Sequence, residues 1–156
     1  MEITITKDYL AVLFTLWICS VGSAVWGWPI WTTVSFMCFF LIYGGHEWAH
    51  FWICNVNNMQ VDAVNLATGG KTDIDFSILS EDPDKDRKIS DVYLAGVVWD
   101  SVFFAISILS SIFYGYLFGD MIPVTFGLSL ILLLIFNLAM PGSDWQNYFK
   151  VIHKRA

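Results

Sequence analysis

The sequence predicts an all-α polytopic membrane protein, with four transmembrane helices and a small β-hairpin between the second and third. Three observations predict it. The 156 residues are 56% hydrophobic and only 14% charged, with a mean hydropathy of +0.60, whereas a soluble domain is typically about 25% charged. The apolar residues are gathered into four blocks, each long enough to cross a hydrocarbon core about 30 Å thick. Between the second and third blocks lies a polar stretch in which apolar and polar residues alternate around a glycine pair, the period of a strand. The length suits one domain, read as a single membrane domain over 1–156.

The first block covers 9–26. Its flank, residues 1–8, carries a single base, Lys7, and no clear small-x-small site, so it reads as an anchor rather than a cleaved signal peptide. Gly27-Trp28-Pro29 leaves room for a tight turn only, and the second block follows at 30–54. The segment 55–90 is polar. Within it Val61, Ala63, Val64 and Leu66 precede Gly69-Gly70, and Ile74, Phe76 and Ile78 alternate with polar neighbours beyond it. This predicts a hairpin turned at the glycines. The mixed charges of 81–88 read as a solvated face, with Pro83 and Ser90 as helix-start signals. The third block, 93–118, and the fourth, 121–140, are joined by Gly119-Asp120. A basic amphipathic tail, 145–156, closes the sequence.

All eight basic residues lie at the N-terminus, in the central segment or in the tail: Lys7, Lys71, Lys85, Arg87, Lys88, Lys150, Lys154 and Arg155. With four spans these regions share one side, and the excess of bases predicts that side to be the cytoplasm. The expectation is a multi-pass protein of the cell membrane with both termini cytoplasmic. Half of the net charge of -6 comes from the central segment, and no basic patch points to nucleic acid. Cys19, Cys38 and Cys54 fall in or beside apolar blocks and read as free thiols.

The chemistry concentrates in Gly44-Gly45-His46-Glu47-Trp48-Ala49-His50. Histidines four apart lie about 40° apart around a helix, so both rings leave one face. With the intervening Glu they form H-E-x-x-H: two zinc ligands and a base for water activated by the metal. The alternative for such a pair is hydrogen bonding between helices. Ionisable groups at this depth are costly and mark a functional site. Two further acids, Asp100 and Asp144, fall at a similar depth, because the second and fourth spans carry their polar groups near their ends and the third near its start. No Lys or Arg within a span can pair with them, so a cation is needed. His46, His50 and Asp144 are the expected ligands of one Zn2+, with Asn137 and Pro141 opening the end of the fourth helix. Asp100 is a partner to a ligating histidine, a proton carrier or an extra ligand. Gly96 reads chiefly as a close helix contact.

These stretches together resemble the site-2 protease family, the intramembrane zinc metalloproteases. His46-Glu47-Trp48-Ala49-His50 is the first motif. Ala95-Gly96-Val97-Val98-Trp99-Asp100 is similar to A-G-P-x-x-N, with Val97 for Pro and Asp100 for Asn. The stretch from Asn137 to Asp144 is similar to N-x-x-P-x-x-x-x-D-G, one residue shorter, with Pro141 displaced and Trp145 for Gly. The resemblance implies a zinc endopeptidase cleaving a transmembrane protein substrate, with Glu47 as the catalytic base and Asp100 or Asn137 near the oxyanion. The hairpin sits where the family has a membrane-associated β element, and strand addition along Gly69, Gly70, Ile74 and Phe76 would hold the unwound substrate. The altered motifs leave a second function open, a non-proteolytic metal-binding subunit of a larger membrane complex. A third is a metal or proton carrier built on the same His and Asp residues.

Overall fold

The computed structural model describes residues 2–59, 63–66, 82–140 and 142–154. A short strand, β1 (Glu2–Ile5), leads into α1 (Lys7–Val25). Thr6 caps that helix, its Oγ1 accepting from the Tyr9 N–H at 3.3 Å, and Asp8 complements the positive end of the first turn. Gly27 turns the chain at φ 69°, and α2 (Ile30–Val56) begins directly after Pro29. A second strand, β2 (Ala63–Leu66), precedes α3 (Lys85–Phe118). Asp120 caps α4 (Met121–Ala139), and Ser143 caps a short final helix, α5 (Asp144–His153).

Helices α2 and α3 make the most extensive contact, with α1 against α2 and α4 against α3. The central pair closes tightly because α2 offers a glycine where α3 offers its largest side chain. A Cβ on Gly45 would collide with the Trp99 indole, whose Nε1–H donates to the Leu41 carbonyl at 2.8 Å. Further along, the bundle interior is lined by small hydroxyls. Ser107 donates to Ser35 across the α2–α3 contact at 2.9 Å, and Ser23 pairs with Thr33 at the same distance. Phe14, Trp17, Leu109, Phe113, Leu132 and Phe136 face outward instead. Apolar outside with small polar groups inside is the distribution a lipid-embedded bundle needs.

Three helices, α1, α3 and α4, are long and apolar enough to cross a membrane. Helix α2 has 27 residues, about 40 Å of rise, but His46, Glu47 and His50 dilute its apolar run. The predicted blocks match the helix bounds to within two residues except in α3. That helix begins eight residues before the block, at Lys85, and takes in the second half of the charged run assigned above to a solvated face. Lys88 reaches Asp82 at 2.7 Å and Arg87 reaches Asp84 at 3.3 Å, and these pairs support the added turns.

The strand pairing departs from expectation. β2 occupies the first arm of the predicted hairpin, yet its described partner is β1, in parallel, with Glu2 opposite Ala63 and Ile5 opposite Leu66. The N-terminal flank is therefore a strand, and the Thr6 N–H continues the ladder to the Leu66 carbonyl at 2.9 Å. The glycine turn and the second arm, with Gly69, Gly70, Ile74 and Phe76, lie outside the described residues. Buried Leu66 packs with Tyr9, Cys54, Met59, Ile89 and Val92, which seats the strand pair against the end of the bundle that carries the polar groups.

Candidate metal centre

Three elements deliver three donor atoms to one point. His46 and His50 leave one face of α2 a turn apart, their rings 4.7 Å apart between centroids and nearly perpendicular. Asp144 arrives as the first residue of α5, after a turn in which Gly142 takes φ 82°. His46 Nε2 and His50 Nε2 are 3.1 Å apart, and each lies 3.0 Å from Asp144 Oδ2.

The other ring nitrogens set the character of that triangle. His50 Nδ1 is 2.7 Å from the Val92 carbonyl, which only accepts, so Nδ1 carries the proton and Nε2 presents a lone pair. His46 Nδ1 is 3.0 Å from Asp100 Oδ1, a close contact short of hydrogen-bond alignment that imposes the same tautomer. Two imidazole lone pairs and a carboxylate oxygen thus face one another with no donor between them. Either protons on the rings or a shared cation must occupy that space. Ligands held about 2.0–2.1 Å from a tetrahedral zinc stand roughly 3.3 Å apart, so the spacing fits a divalent ion after a shift of a few tenths of an ångström. Among the described residues these three side chains form the one group of His, Cys, Asp and Glu able to hold a metal.

The surroundings close around the trio. A Cβ on Gly96 would come within 2.5 to 2.7 Å of His50 Cε1, His50 Nε2 and Asp144 Oδ2. Gly96 therefore leaves room for the centre itself, beyond the helix contact expected for it. Burial pushes the Asp144 carboxyl up, but where protons fill that space the hydrogen bonds and charge of the His46 and His50 rings outweigh it and hold the group well below the usual carboxylate range. Glu47 is buried, at 4% exposure, and its Oε2 has no hydrogen-bond partner. A buried carboxylate oxygen left unpaired is rare and costly.

Asn137 is not brought to the centre. Its side chain is exposed on α4, and only its carbonyl is used, accepting from the Met140 N–H at 3.3 Å where the helix ends. Pro141 lies outside the described residues. Conversely, Tyr9 has a place that sequence reasoning missed. Its hydroxyl lies 3.2 and 3.3 Å from the Tyr43 and Gly44 carbonyls, one helical turn before Glu47 and Trp48, and its ring stacks on Tyr43. The only trace in the sequence is an aromatic residue three positions after a capping threonine.

Compared with family models, curated proteins and solved structures, the chain matches none. What the centre does is therefore argued from its own geometry. An open apolar groove of about 860 Å3 also runs between α2 and α3, lined by Trp48, Trp52, Leu94, Val98 and Phe103 among others. None of the three donor residues lines it.

Proposed function

We propose that the chain is an intramembrane zinc metalloprotease of the site-2 protease type, cleaving a membrane-embedded peptide segment near the cytoplasmic face. In this reading α2 is the fourth membrane crossing, and both termini and the β segment lie in the cytoplasm of a cell-membrane protein. One observation supports it: three potential ligand atoms from α2 and α5 converge on one point, beside a buried carboxylate oxygen, Glu47 Oε2, that has no hydrogen-bond partner.

His46, His50 and Asp144 would hold the ion, and two imidazoles with one carboxylate suit zinc. Bound there, zinc would supply Lewis acidity towards water and the scissile carbonyl. Glu47 takes the proton of the attacking water and returns it to the leaving amine. Asp100 and the Val92 carbonyl hold the two rings in the tautomer that presents Nε2. Asp144 sits at the positive end of α5, which favours its ionised form. Glu47→Gln keeps the shape of the site and removes the base. The expected outcome is full zinc content with no cleavage of a single-span substrate, and cleavage at the wild-type rate in that variant rules the mechanism out.

The exposure of Asn137 favours a second reading, a metal-binding subunit of a membrane complex without peptidase activity. Exposed on α4, the Asn137 amide does not line the trio to stabilise an oxyanion. Wild-type protein that holds zinc, cleaves no single-span substrate and co-purifies with other membrane subunits in fixed stoichiometry would decide for it.

A further inference from the structure

We propose that the outward face of α5 docks on an anionic lipid headgroup surface, and that this contact steadies Asp144 at the metal centre. The second half rests on the metal reading above; the first does not.

Helix α5 has two unlike faces. Val151 packs against the cluster of Tyr9, Cys54, Leu66 and Val92, and Trp145, Tyr148 and Ile152 are half-buried on the same side. The exposed residues are Phe149, Lys150, His153 and Lys154, at i, i+1, i+4 and i+5, a single stripe. Every base of the helix lies in that stripe. In a chain of net charge -6 this is a local concentration of cations. Nor is it neutralised from within: Arg87 and Lys88 are paired to Asp84 and Asp82, whereas Lys150 and Lys154 make no ion pair among the described residues.

The position of the stripe selects the partner. Helix α4 is apolar enough to cross a membrane and ends at Ala139, and α5 begins five residues later, so α5 lies where α4 leaves the hydrocarbon. There Phe149 packs edge-on against Trp145 at 4.7 Å, and Met140, at the end of α4, is exposed. Aromatic and apolar side chains next to unpaired lysines are the composition of a helix lying in the headgroup layer. An acidic protein surface would match the lysines but not the apolar residues beside them.

The contact reaches the metal centre through one residue. Asp144 is the first residue of α5, half-buried, and lies roughly 120° around the helix from Lys150. Fixing the outer face on a membrane fixes the helix, and so the third ligand, without placing a cation near the ion.

The test uses the full chain in vesicles of phosphatidylcholine, with or without about one-third phosphatidylserine, and a double charge reversal, Lys150→Glu with Lys154→Glu. Amide exchange over 144–153, measured without metal, is expected to slow in the anionic vesicles for the wild type but not for the double variant. The effect should fade at high salt. Zinc affinity, by chelator competition, is expected to rise about fivefold in anionic vesicles, the order of one lysine at such a surface, and to stay level in the variant. Exchange that ignores lipid charge, or responds equally in the variant, overturns the docking. Exchange that responds while zinc affinity does not change overturns the link to Asp144. Zinc that binds in neither lipid, with exchange still responding, overturns the metal reading and leaves the docking standing.

Discussion

Gly96 and Asp100 carry the sharpest consequences at the scale of single residues, because each touches a proposed ligand without being one. A methyl group at position 96 has nowhere to go except into His50 and Asp144. Gly96→Ala is therefore expected to keep the helical content and lose metal affinity by at least about tenfold, the cost typical of disturbing the partners of a ligand. Chelator competition and far-ultraviolet circular dichroism on the same sample check both halves. Asp100→Ala leaves His46 Nδ1 without the acceptor that orients it, and a loss of about 10- to 100-fold in zinc affinity is expected, with Asp100→Asn recovering part of it because the amide oxygen still accepts. Much of this scale could be read from the sequence. The His46 and His50 spacing is a local signal, and the shared depth of Asp144 needed only span lengths and directions. The role of Gly96 at the centre was hidden, since a glycine in a helix reads first as a packing position. Asn137 misled because a motif one residue short of the family pattern fixes a place in the chain but not a side-chain direction.

The elements show where local signals stop. Helices α1, α2 and α4 follow their apolar blocks closely. α3 starts earlier because the charges around its first turns are mutually paired, and a mixed-sign run looks the same whether it solvates a loop or stitches a helix. The parallel pairing of β1 with β2 had no local signal at all: two four-residue strands about 60 positions apart, joined through two helices, leave only the alternation of Ile3 and Ile5 with threonines. Tyr9 links that strand pair to the turn before Glu47. Tyr9→Phe removes the hydroxyl from the Tyr43 and Gly44 carbonyls, and a destabilisation of about 1 kcal/mol is expected, read as a lowered thermal midpoint in detergent with zinc content unchanged. Loss of the metal in that variant would mean that the hydroxyl shapes the centre more directly than the backbone contacts imply.

The whole molecule places its costly groups on one level. Hydroxyls bond across helices through the far part of the bundle, and the ionisable side chains gather where α2 ends, α3 begins and α5 folds back. In the proposed topology that level is the cytoplasmic one, so reporter fusions at either terminus are expected to read cytoplasmic; an external reading at one end alone contradicts four crossings, and an external reading at both contradicts the orientation. The proposed chemistry depends most on a single ion shared by α2 and α5. Its most direct test is the metal content of purified protein, wild type against His46→Ala. About one zinc per chain in the wild type and almost none in the variant is the predicted result, as expected for a three-residue site that loses a ligand. A metal-free wild type, or equal zinc in both proteins, would contradict it.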